Sequence, residues 1–248
     1  MSRRPLWTGA IALLLALGPA AEAWGGRPLD TEDTGTVEPG KAELELSGDY
    51  ARNPEDNSWF AKGVLSVGLA PGLEARIEST LLLLEPEGQR SRAGVADSLF
   101  GVKYRLLDES EAFPAVLAGF TVRLPTGSER RGLGAADVDA GIVAVASKAV
   151  GPLTLTGNVG YTFVTRDREL DFWTLAASLE YRVAKAWILV GEVVSAVGAD
   201  RAPDVAVLRA GAIYVVGERL KLDGAVGVGL TRDSPDVLIT VGMTISLF

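Results

Sequence analysis

Between Lys41 and Phe248 apolar and polar residues alternate in short runs and never gather into an apolar stretch long enough for a membrane helix, which takes about 20 residues. The last run shows the pattern best. Val237, Ile239, Val241, Met243, Ile245 and Leu247 fall on one face at a period of two, with Leu238, Thr240, Gly242, Thr244 and Ser246 on the other. That is the periodicity of a strand with one apolar face. Twelve such segments can be placed, at 41–50, 59–69, 73–84, 97–107, 113–124, 137–148, 153–164, 171–183, 187–197, 205–216, 220–231 and 236–248. At about 10 to 13 residues, each is long enough to cross a bilayer as a tilted strand.

The connections between segments are asymmetric. Links at 70–72, 108–112, 149–152, 184–186 and 217–219 are five residues or fewer, whereas those at 85–96 and 125–136 on the other side are twelve. Short turns at one rim and long loops at the other are the pattern of outer-membrane barrels, whose short turns face the periplasm. An even strand number returns both termini to that side. The closing strand, 236–248, should then pair with Lys41–Tyr50.

Charge is segregated by face. In this parse one face of every segment is free of Asp, Glu, Lys and Arg, while the other carries the charged residues, from Glu43 and Glu45 through Lys221 and Asp223. A soluble sandwich would also separate its faces, so the aromatics have to discriminate. Tyr104, Phe113, Tyr181, Trp187, Tyr214 and Phe248 lie near the short-turn ends. Tyr50, Trp59, Phe60, Phe100, Phe163, Phe172 and Trp173 lie near the long-loop ends, and Leu, Val, Ala and Gly fill the middle. Two aromatic girdles flanking an aliphatic band fit a membrane barrel, where a sandwich would centre its largest rings. The fold expected is all-β: a transmembrane antiparallel up-and-down β-barrel of about 12 strands over 41–248.

The first 23 residues read as a signal peptide. Arg3 and Arg4 are followed by the apolar run Ile11–Leu17 and by Ala21-Glu22-Ala23, a small-x-small cleavage site. Residues 24–40 are rich in Gly, Thr and acid and are broken by Pro28 and Pro39, so they are expected outside the sheet as a polar periplasmic leader. The net charge of −8 argues against a nucleic-acid partner.

The leader Gly26–Gly40, with Phe100-Gly101-Val102-Lys103-Tyr104-Arg105, Val122-Arg123-Leu124-Pro125-Thr126-Gly127, Gly157-Asn158-Val159-Gly160-Tyr161-Thr162 and Leu189-Val190-Gly191-Glu192, resembles the outer-membrane transporters named for the meta-cleavage pathway of phenol degradation. The resemblance spans nearly the whole chain after the signal peptide and implies an outer-membrane location and a transport role. Phe248 departs from it, being out of phase with the apolar face that ends at Leu247.

Candidates for function lie on the charged face. Glu192 and Arg209 stand on an otherwise apolar inner wall of Ile188, Val190, Val194, Val205, Val207 and Ile213, which would suit an aromatic or fatty solute with a polar foothold. Glu180, Arg182, Arg123, Lys103 and Arg105 complete the candidate solute path, and salt bridging among these groups is the structural alternative. With no His and no Cys, neither a Ser-His nucleophile nor a thiolate metal site is available. Glu43/Glu45 and Asp137/Asp139 are about 7 Å apart along a strand, but nothing marks them as catalytic. No enzyme activity, cofactor or metal is expected. The function expected is passive passage of small hydrophobic or aromatic solutes. The alternative is a closed structural or surface-interaction barrel that makes its contacts through loops 85–96 and 125–136. The expected partners are outer-membrane lipid, a small hydrophobic solute, and the barrel-assembly machinery through the C-terminal strand.

Overall fold

The computed structural model describes residues 26–53, 56–135, 137–198 and 204–248. The expected signal peptide and Trp24 lie outside the described residues. The strands are β1 (Ala42–Arg52), β2 (Asp56–Ala70), β3 (Leu73–Pro86), β4 (Arg92–Val95), β5 (Ser98–Leu107), β6 (Ala115–Leu124), β7 (Asp139–Val150), β8 (Leu153–Phe163), β9 (Phe172–Ala184), β10 (Trp187–Gly198), β11 (Val205–Gly217), β12 (Leu220–Gly229) and β13 (Val237–Ser246). Twelve of them form a ring of antiparallel neighbours. β13 pairs with β1, β1 with β2, β2 with β3 and β3 with β5, and from β5 to β13 each pairs with the next. The closing register runs from Glu43↔Ser246 to Arg52↔Val237, so the last strand does seal against the first. The short β4 stands outside the ring, paired with the far end of β3.

Alternation decides what faces where. Leu175, Val226, Val241 and Leu222 are 47 %, 61 %, 59 % and 40 % exposed on the outer face, whereas Glu74, Glu192, Thr240 and Thr244 on the alternate positions are buried inside. Lys148 is an exception to the charge-free outer face. It sits opposite exposed Leu155 in the β7–β8 register, and its ammonium reaches back to the turn, 3.2 Å from Glu109. A long stem lying along apolar surface with its charge at the rim is snorkelling.

Aromatic contacts occur at both rims. Trp187 and Tyr214 meet at 4.8 Å near the short turns, and Tyr50–Trp59 and Tyr161–Trp173 meet at 4.5 and 4.8 Å near the long loops. Two expected girdle residues turn inward. Phe60 lines a lumen cavity, and Phe172 shares its face with buried Ala176 and Glu180. Register shifts in β2, β5, β10 and β11 all lie at the short-turn rim, where a bulge lets a strand bend into its hairpin.

The two longest loops clasp one another. Arg131 donates to the Ala93 carbonyl at 2.5 Å, Arg92 to the Arg131 carbonyl at 3.2 Å, and Asp97 accepts from the Gly127 and Ala135 N–H groups at 2.9 and 2.7 Å. Leu133 is buried beneath this clasp.

Candidate functional site

The lumen is the candidate site, and the leader occupies it. The sequence places this polar, Pro-broken segment outside the sheet on the periplasmic side and leaves open whether it plugs the lumen. Residues 26–39 do stay outside the sheet, with only Pro39 bridging to a strand, at Gly68, and they run through the bore. Charge complementarity holds them there: Glu32 meets Arg76 and Lys103, Asp30 meets Arg209, and Arg27 meets Asp223.

Arg27 enters between β1, β12 and β13. Its guanidinium lies 2.9 Å from Asp223 and 3.9 Å from Asp49 and donates to Thr240 at 2.8 Å. The next residues reach β10 and β11. The Asp30 and Thr31 N–H groups donate to Glu192 at 3.0 and 2.8 Å, and the Thr31 hydroxyl donates to it at 2.6 Å. Arg209 donates to the Pro28 carbonyl at 3.0 Å and to the Asp30 carboxylate at 2.7 Å. Leu29 packs on Ile188, Val190 and Ile213. Glu32 then turns to the opposite side of the ring, 2.5 Å from Arg76 on β3 and 2.9 Å from Lys103 on β5. Farther along, the Val37 N–H donates to Glu74 at 2.8 Å.

Burial alone would push the Glu32 carboxyl up, but the Lys103 ammonium and the Arg76 guanidinium more than reverse this and hold it down at about 2. Two inward glycines admit the leader. A Cβ at Gly68 would strike the Val37 and Glu38 carbonyls, and one at Gly242 would strike the Arg27 guanidinium. Cavities of about 390 and 200 Å³ remain beside the leader, both bounded by Glu32, Glu45, Val64 and Arg76.

The seven candidate residues divide into three groups. Glu192 and Arg209 face each other across the β10–β11 register and pair at 3.0 Å, both buried. Lys103 lies within the leader's ionic contacts, 3.7 Å from both Asp33 and Glu74, and Glu180 is buried on the same inner surface. The other three sit apart from the leader. Arg123 pairs with Asp139 and lies 3.9 Å from Asp97 beside the long-loop clasp. Arg105 pairs with Asp108 at 2.9 Å, and Arg182 donates to the Lys185 carbonyl at 3.4 Å, both at short turns. The leader residues Arg27, Leu29, Asp30, Thr31 and Glu32 were not among the sequence candidates. The signal that could have found them is the acidic run Asp30–Asp33, set against Arg76, Lys103 and Arg209.

A family model described as "Putative MetA-pathway of phenol degradation" matches residues 25–247. The chain belongs to this family. No curated protein matches it in sequence. Among solved structures it is similar to an outer membrane channel from Pseudomonas putida F1, at 14 % identity and a TM-score of 0.65 over 88 % of this chain and 100 % of that one. It is also similar to the KdgM porin, at 12 % identity and 0.62 over 83 % and 99 %, and to the NanC porin, at 10 % identity and 0.64 over 82 % and 100 %. These likenesses bear out the fold, an outer-membrane β-barrel of the porin-like kind.

Proposed function

We propose that this family member is a passive outer-membrane channel for small hydrophobic or aromatic solutes, closed in the present state by its own leader. The observation that carries this reading is the Glu192–Arg209 pair beside the apolar patch of Ile188, Val190 and Ile213, covered by a segment held there by noncovalent contacts alone. An apolar wall with a few convergent polar groups is the usual make-up of a small-molecule site. The channel and porins that share the fold support passive transport. Arg105, Arg123, Glu180 and Arg182 would shape the two mouths and the inner wall rather than hold the solute beside Arg209.

A second reading, a closed structural barrel, has support in the ion pairs that the leader spreads across the bore and in the clasp between the long loops. Entry of hippurate, an aromatic amide whose charge slows its own crossing of lipid, into vesicles carrying the protein separates the two. Entry faster than into empty vesicles, and faster than that of a sugar of similar size, is expected of the channel. No protein-dependent entry, with cellular uptake unchanged on deletion, would leave the structural barrel.

A further inference from the structure

At most of its anchor points the leader docks through charged side chains. Arg27 meets Asp223, and Glu32 meets Arg76 and Lys103. At Glu192 and Arg209 the contacts are of another kind. Glu192 receives the N–H groups of Asp30 and Thr31, and Arg209 gives a hydrogen bond to the Pro28 carbonyl. Only the Thr31 hydroxyl and the Asp30 carboxylate add side-chain contacts there. One residue between them, Leu29, lays its side chain on Ile188, Val190 and Ile213. A buried carboxylate that loses the Asp30 and Thr31 donors and keeps only Arg209 is under-satisfied, so whatever displaces the leader does best with a donor of its own.

The geometry points to a ligand subsite here, formed by Glu192, Arg209 and the Ile188–Val190–Ile213 patch, in which the leader's 28–31 segment acts as a resident competitor of the solute. The class of solute that replaces it is an apolar amide. Its N–H donates to Glu192, its carbonyl accepts from Arg209 and its apolar body takes the place of Leu29. An alkane or an unsubstituted aromatic ring satisfies the patch and leaves Glu192 and Arg209 with only each other, the hydrogen bonds that the leader made to them unreplaced. A sugar or a small polar amide satisfies the charges and leaves the patch wet. Because solute and leader exclude each other, the solute shifts the leader from docked to released by its affinity for the released state. This inference rests on the proposal that the barrel passes small apolar solutes, and it specifies their chemistry and what opens the bore to them.

The chain contains no cysteine, so Thr34→Cys introduces a single thiol in the leader at a buried position away from the subsite. The full-length variant in lipid vesicles is exposed to a membrane-impermeant thiol reagent while N-acetylphenylalaninamide, toluene or N-acetylglycinamide is titrated in. Swelling of the same vesicles reports whether each solute enters. The amide is expected to raise the labelling rate saturably, by about tenfold, with toluene and N-acetylglycinamide leaving it near its starting value. An equal rise with all three would overturn the amide subsite. Entry of N-acetylphenylalaninamide with no change in labelling would overturn the competition and leave the channel standing. No entry and no change would overturn both.

Discussion

Thr31 gives both its backbone N–H and its hydroxyl to one carboxylate oxygen of Glu192, at 2.8 and 2.6 Å. The residue after it, Glu32, is held by Arg76 and Lys103 on strands about half the ring away. A single peptide step therefore ties opposite walls of the barrel together, and the leader works as a strut across the bore.

Glu192 and Arg209 are buried and pair with each other, so removing Glu192 leaves Arg209 only the part-exposed carboxylate of Asp30. Breaking a buried pair in this way costs on the order of 3–5 kcal/mol, less whatever water recovers. Glu192→Gln is expected to lower the temperature at which the protein loses its fast-migrating folded form on a gel. Replacing both residues by Leu should recover most of that loss while freeing the leader from the β10–β11 wall.

Gly68→Val should expel the leader and spare the barrel. It adds bulk where the carbonyls of Val37 and Glu38 now lie, on an inward position that lipid never meets. Limited proteolysis is expected to trim the leader from this variant, with the strand signal in circular dichroism unchanged. Resistance equal to that of the parent protein would show that the leader docks without this notch.

On the outer face the prediction has the opposite sense. Val226→Arg puts a charge in the middle of β12 facing lipid and should cost about 2–4 kcal/mol, reducing insertion. Lys62→Ala removes an inner charge that lies 3.8 Å from Glu78 at a partly exposed position, and its cost should stay below about 1 kcal/mol. Refolding yields into lipid vesicles measure both.

Phe248 lies past the last paired residue of β13 and is 69 % exposed. Few contacts depend on it in the finished barrel, so its deletion should lower the amount of protein reaching the membrane in cells more than it lowers the stability of molecules already inserted. Equal losses in both would assign it to the barrel wall instead.

The barrel was legible because lipid outside and charge inside impose a period of two on every strand, and Val237–Leu247 carries that period without a break. β4 escaped notice because Arg92-Ala93-Gly94-Val95 is too short to show a period. Phe60 and Phe172 stand at girdle height but on inward positions, because parity and not position along a strand decides the face. The Glu192–Arg209 pair could be anticipated, since the two strands share an apolar inner face with one charge apiece. The leader's path could not be read locally. Gly, Thr, Asp and Pro describe a solvated loop equally well, and the inner face carries acids as well as bases, so its charges alone do not call Asp30, Glu32 and Asp33 inside.

The central claim, a channel closed by a leader docked at Glu192 and Arg209, is tested most directly by single-channel conductance in planar bilayers, comparing the parent protein with the variant carrying both Glu192→Leu and Arg209→Leu. The parent is expected to show small or rare openings and the variant several-fold larger steps, as the strut lets go of its wall. Silence from both proteins, with the variant shown to be folded and inserted, would contradict the claim.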